Sequence, residues 1–180
     1  MNVQSKLETE RLLLENLSIN DHKFILELLN TEGWLKFIGD RNVHSEADAI
    51  AYVQRIMGNP NLNYWVVRLK NDQTALGIIT FIQRDYLEHP DIGFAFLPKY
   101  SGKGYAFEAT IEVLKSVFQT ENLLHILATT IPENVDSIRL LEKLGLRFER
   151  EIEVDGLKLS IYGALVSEIP IIVFDKKSYL

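Results

Sequence analysis

Two glycines and a lysine alternate at the mouth of a helical pattern: Gly102, Lys103 and Gly104, within PKYSGKGYAFEA (98–109). The first turn of a helix leaves four backbone N–H groups without partners, and the helix dipole adds about half a positive charge there. Glycines let the backbone close on a bulky anion, and the lysine adds charge. Phosphate or pyrophosphate is the ligand such a loop suits. The plainer alternative is a tight strand-to-helix turn with no ligand. Two other phosphate loops are excluded by spacing. A Walker A loop needs GxxxxGK[ST], and here Tyr105 follows Gly104. A dinucleotide fingerprint needs a third glycine where this chain has Phe107. Metal chemistry finds no support: His22, His44, His89 and His125 are scattered, and there is no cysteine to act as ligand, nucleophile or disulfide partner.

The elements that must position the loop are legible around it. RLLLEN (11–16) reads as a strand. Ser18 and Asn20 are candidate caps for a helix that puts Phe24, Ile25, Leu28 and Leu29 on one face. Ser45 with Asp48 three residues on is a capping-box pattern, opening a helix through Met57 that stops before the turn GNPN. Strands follow at 64–70, 75–85 and 91–98, with Gly77 predicting a bulge or a close backbone approach and Pro98 ending the last ladder. The helix after Gly104 carries a core stripe of Phe107, Ile111, Leu114 and Phe118. A strand at 125–131, a helix at 134–145 stopped by Gly145, and a hairpin turning at Asp155-Gly156 complete the chain. The helix between the strands at 91–97 and 126–131 makes that pair parallel; strands adjacent in sequence without a helix are antiparallel. The expected fold is α/β: a mixed, mostly antiparallel sheet with helices on both faces, in a single domain over 1–180.

Composition bounds the partners. The 180 residues are 47% hydrophobic and 24% charged, enough for a sizeable core. The net charge of −6 argues against a nucleic-acid partner. The polar start is not a secretory signal, and no apolar run approaches the roughly 20 residues a membrane span needs. A cytoplasmic protein without membrane or metal is expected. The tail IPIIVFDKKSYL (169–180) is apolar enough to add a strand or to pack on a partner, which admits a homodimer.

DIGFAFLPKYSGKGYAFEA (91–109) resembles the acetyl-CoA motif of the GNAT superfamily of N-acetyltransferases, whose loop reads Q/R-x-x-G-x-G/A. Here the loop is Lys99-Tyr100-Ser101-Gly102-Lys103-Gly104, with lysine in the first place. TTIPENVDSIRLLEKLGLRFER (129–150) resembles the family's next motif, in which an asparagine opens a helix ending in K-x-G-F; the matching residues are Asn134, Lys143, Gly145 and Phe148. LETERLLLENL (7–17) and FIGDRNV (37–43) resemble the branch of the RimJ/RimL ribosomal-protein acetyltransferases.

The resemblance implies the GNAT acyl-CoA N-acyltransferase fold, with a splayed parallel central pair, and acetyl-CoA lying in the splay. Phe96 and Leu97 would bond the pantetheine, residues 99 to 104 and Tyr105 would hold the pyrophosphate, and Asn134 and Ser137 would meet the cofactor arm. Asp91 aligns with an acidic position that serves as general base in several members. The usual tyrosine acid, seven residues after the asparagine, is Leu141 here, which donates no proton. Ser137 shares a helix face with Asn134 and Leu141 and is one candidate donor; Tyr162, expected near the acceptor, is another. Where that branch often has an aspartate four residues before this tyrosine, the chain has Lys158. Trp34 and Phe37 would line the acceptor pocket, and Asp40 would receive a cationic amine.

The expected activity is acetyl transfer from acetyl-CoA to a primary amine, of a protein N-terminus or a small molecule, without a covalent enzyme intermediate. Two alternatives are a GNAT-fold module that binds CoA without chemistry and an unrelated nucleotide-binding regulator, which ATP rather than CoA would protect.

Overall fold

The computed structural model describes residues 3–121 and 123–169. Its strands are β1 (Lys6–Glu8), β2 (Leu12–Asn16), β3 (Leu62–Leu69), β4 (Ala75–Ile82), β5 (Asp91–Phe96), β6 (His125–Thr130), β7 (Arg147–Val154) and β8 (Leu157–Leu165). Its helices are α1 (His22–Leu29), α2 (Glu32–Phe37), α3 (Glu46–Met57), α4 (Tyr105–Thr120) and α5 (Val135–Leu144). The strands form one sheet in the order β1-β2-β3-β4-β5-β6-β8-β7. Each neighbouring pair is antiparallel except β5 and β6, which are parallel, as the intervening helix requires.

Local chemistry sets the boundaries. At α3 the Ser45 hydroxyl accepts the Asp48 N–H, and the Asp48 carboxylate accepts the Ser45 N–H at 2.9 Å, which completes the capping box. Ser18 caps a short 3-10 turn (Ile19–Asp21) ahead of α1, giving its N–H and its hydroxyl to Asp21; Asn20 lies inside that turn and is not the cap. Helix α5 ends in a Schellman arrangement, with Gly145 at φ 102° donating to Glu142 O and Leu146 to Leu141 O. Asp155 (φ 50°) and Gly156 (φ 77°) make the two-residue turn between β7 and β8.

Two large cores lie on the two faces of the sheet, with a small cluster of Leu87, Leu127 and Ile161 besides. Helices α4 and α5 cover Trp65, Val67, Ile79, Phe81 and Ile92. Helices α1, α2 and α3 cover Val66, Ile78 and, from the helices themselves, Ile25, Leu28, Trp34 and Val53. The stripe read on α4 is inward: Ile111 and Leu114 are buried, with Phe107 and Phe118 packed beside them. Gly77 meets both expectations placed on it. A Cβ there would stand 2.5 Å from Ala95 O and from the Phe96 ring, and the β3 register shifts opposite it, between Val67 and Arg68.

Several boundaries differ from the sequence reading. Strand β4 stops at Ile82 rather than at 85, because residues 83–90 turn away as a loop. Strand β1 was not foreseen: three residues are too short to show a period. Nor was α2, a six-residue helix containing Gly33. The tail beyond Ile169 lies outside the described residues; Ile169 itself is buried against the α4/α5 core. No helix among the described residues is long and apolar enough to cross a membrane.

Candidate functional site

The parallel pair is barely a pair. Strands β5 and β6 register only at Asp91 and Leu127, where Leu127 donates to Pro90 O at 3.0 Å, and beyond that point they part. Strand β4 holds the other side of β5. Leu97 donates to Leu76 O at 2.8 Å, and its carbonyl accepts the Tyr100 N–H. Leu97 was expected, with Phe96, to bond the pantetheine through its backbone; its N–H is taken by Leu76 and its carbonyl already accepts from Tyr100. Alternation along an antiparallel strand turns the backbone groups of Phe94 and Phe96 the other way, toward the gap. The backbone of Phe96, expected at the pantetheine, thus faces the gap, and so does that of Phe94.

The glycine loop follows. Pro98–Tyr100 is a 3-10 turn, residues 101–104 are exposed, and α4 begins at Tyr105. The turn takes the N–H groups of Tyr100 and Ser101, which donate to Leu97 O and Pro98 O. These two backbone donors are thus removed from the expected set. Among the described residues, Gly102, Lys103, Gly104 and Tyr105 give their N–H groups to no protein acceptor. Gly102 (φ 72°) and Gly104 (φ 80°) hold a left-handed backbone that other residues resist. Nothing stands within 4 Å of a Cβ built on Gly102, so the backbone there is open to a ligand. Lys99 pairs with Glu27 at 3.2 Å; Lys103 has no acidic partner among the described residues and lies 5.6 Å from the Tyr100 ring.

Asp91 sits where the strands begin to part. It is 1% exposed, not the solvated charge that a position after Pro90 could have been. Its Oδ2 accepts from Arg84 Nε at 2.8 Å and from the Thr129 hydroxyl at 3.1 Å. Its Oδ1 is buried without a hydrogen-bond partner among the described residues. Burial pushes the carboxyl above its ordinary range, and Arg84 and Thr129 pull back only part of that rise. Neither Arg84 nor Thr129 was picked out from the sequence. A carboxylate opening an apolar strand needs a cation, and Arg84 is the nearest arginine before it in the chain; that was the available signal.

Asn134 caps α5 by accepting the Ser137 N–H at 3.2 Å, which leaves its amide nitrogen for a ligand. The Ser137 hydroxyl is half-buried and has no partner among the described residues. Leu141 is fully in the core. Tyr162 is placed differently from expectation. It pairs with Ala128, and both belong to the α4/α5 core, whereas Asp91 bonds Thr129, the next residue of β6. Successive residues of a strand face opposite sides of the sheet. Tyr162 therefore lies on the face away from Asp91 and Trp34, with its ring edge on Phe148 at 5.9 Å. Burial, with the charge of Glu142, raises its phenol.

Of the three acceptor candidates Trp34 belongs to the α1–α3 core, and all three are occupied locally. Trp34 is buried and donates from Nε1 to Gly39 O at 3.1 Å, so it is first a core residue. Phe37 is half-buried beside Lys36. Asp40 is exposed, accepts the Asn42 N–H at 2.7 Å and lies 3.5 Å from His44 Nε2. On the same face Tyr64 is pushed well up by burial and by the neighbouring Tyr52 hydroxyl. Tyr64 also lines a hollow of about 400 Å³ with Leu17, Ile56 and Pro60, which holds none of the residues expected at the site. Among the described residues no cluster of histidine and carboxylate side chains could hold a metal ion.

Residues 11–147 match the family described as Acetyltransferase (GNAT) domain. The uncharacterized N-acetyltransferase YnaD of Bacillus subtilis is 35% identical over 144 residues, 79% of this chain and 83% of that protein. A GNAT-family acetyltransferase structure from Bacillus anthracis superposes with a TM-score of 0.77 at 31% identity, covering 91% of this chain and 99% of its own. An uncharacterized Bacillus halodurans protein shares the fold at a TM-score of 0.83 with only 13% identity. The chain belongs to the GNAT acetyltransferases and is an acetyl-CoA-dependent enzyme of that family.

Proposed function

We propose that the enzyme acetylates a primary amine directly, with acetyl-CoA threaded through the gap between β5 and β6 and the amine arriving from the α1–α3 face. The buried Oδ1 of Asp91 carries this reading, because it is a hydrogen-bond acceptor at the start of the gap that nothing among the described residues satisfies. Gly93 and Ala95 follow Asp91 on the same face, so no bulky side chain of β5 stands between that oxygen and an incoming group.

The backbone of Phe94 and Phe96 would bond the pantetheine amides. The N–H groups of Gly102 to Tyr105, with Lys103, would hold the pyrophosphate, and the Asn134 amide would meet the cofactor arm. Asp91 takes a proton from the attacking nitrogen, directly or through one water. The C–N bond forms as the C–S bond breaks, and the departing sulfur is reprotonated from solvent. The Ser137 hydroxyl, without another partner among the described residues, donates a hydrogen bond to that sulfur. Tyr162 is the weaker donor, since it packs in the core beside Phe148.

The acceptor is a protein N-terminal amine or a small amine. LETERLLLENL and FIGDRNV, similar to RimJ/RimL enzymes, favour the first; Asp40, exposed on the acceptor face, suits a cationic group in either case. A cytoplasmic location follows from the need for acetyl-CoA. The test is thiol release from acetyl-CoA over a panel of amines and peptides. With the best acceptor, Asp91→Asn should lower kcat/KM by about 10² to 10⁴. Unchanged turnover in that variant would remove Asp91 from the mechanism.

A further inference from the structure

Arg11 is far from the glycine loop in sequence, yet its side chain is bound to it. Nε and Nη2 reach Glu108 Oε2 at 2.7 and 2.6 Å, and Nη1 donates to the Lys103 carbonyl at 3.2 Å. The guanidinium lies 4.5 Å over the Tyr105 ring. Glu108, in the first turn of α4, is held in turn: its Oε1 accepts the Arg11 backbone N–H and the Thr9 hydroxyl. Burial pushes the Glu108 carboxyl up, but these bonds outweigh it and hold it below the usual range.

We propose that Arg11 is a positioning residue for the anion site. A trans peptide unit is planar, and its C=O and N–H point in opposite directions. The Lys103 carbonyl and the Gly104 N–H belong to one such unit. By gripping the carbonyl on the β2 side, Arg11 turns the Gly104 N–H outward, into the space where the loop would meet pyrophosphate. Gly104 permits this because its φ of 80° is a left-handed backbone that suits glycine. A residue before β2 thus sets the aim of a donor in the loop.

This rests on the loop being the pyrophosphate site. The test compares wild type with Arg11→Met, which keeps the stem and loses the donors, measuring KM and kcat for acetyl-CoA and the ³¹P spectrum of bound CoA. A hydrogen-bond network to a charged group predicts KM raised about 10- to 100-fold, with kcat at saturation within about twofold. The pyrophosphate resonance should move toward its free position while the 3′-phosphate resonance stays. A merely structural role would lower the melting point and leave KM and the pyrophosphate resonance where they were, which overturns the inference. Should Arg11→Met fail to fold, Arg11→Lys keeps a cation over Tyr105 without the forked grip and is read the same way. A wild type that does not bind CoA would instead overturn the loop assignment under which Arg11 acts.

Discussion

Arg84→Gln should move the acid limb of the pH–rate profile upward. Arg84 Nε and Asp91 Oδ2 are 2.8 Å apart, and Asp91 is almost wholly buried. Two unit charges centred about 4 Å apart at an effective dielectric of about 20 interact by about 4 kcal/mol. The Arg84 side chain is 30% exposed, so solvent screens part of this, and the limb should move upward by less than the unscreened interaction implies. The sign follows from the charge. Removing a cation disfavours the carboxylate, so a pKa already raised by burial rises further. A base acts only when deprotonated, so kcat/KM for acetyl-CoA and the best amine should lose activity at low pH first and recover toward the wild-type plateau at high pH. The assay is thiol release across pH, in wild type, Arg84→Gln, Asp91→Asn and the double variant. In the Asp91→Asn background the limb should be gone, and Arg84→Gln should shift nothing. An unmoved limb in the single variant would refute Asp91 as the titrating base. A plateau depressed equally at all pH values would mean that Arg84 acts through geometry instead.

Three further variants test the packing and the donor side. Gly77→Ala places a methyl 2.5 Å from Ala95 O and the Phe96 ring; it should destabilise by about 2 to 3 kcal/mol in urea unfolding, and it should weaken acetyl-CoA binding because β5 must shift at the gap. Ser137→Ala should lower kcat by about tenfold with little change in KM, whereas Tyr162→Phe, acting from the core, should change melting temperature more than turnover.

Much of the fold was readable because its signals are local. The Ser45–Asp48 box, the Gly145 stop and the Asp155-Gly156 turn each need only a few consecutive residues, and each is realised in the structure. The parallel central pair followed from one intervening helix. What escaped were relations across the sheet. Tyr162 could not be assigned a face until β6 and β8 were in register, Ala128 against Tyr162 and Thr129 against Ile161, and a one-residue slip would have reversed the answer. Leu97 looked like a free donor until β4 claimed its N–H. Arg84 was read as strand, and Arg11 as the start of one, because neither shows a partner within its own segment.

These two arginines suggest how the site is kept in working order. Each holds one acidic residue near an element's start, Asp91 opening β5 and Glu108 in the first turn of α4. One group is raised by burial and left with an open oxygen; the other is held low with its oxygens bonded. A carboxylate meant to take up a proton needs the first environment, and one meant to anchor a loop needs the second. Under the proposed mechanism the same pairing chemistry would give a proton acceptor at the gap and an inert carboxylate behind the glycine loop. The difference lies in burial and unfilled bonds, which no inspection of the two residues in sequence could supply.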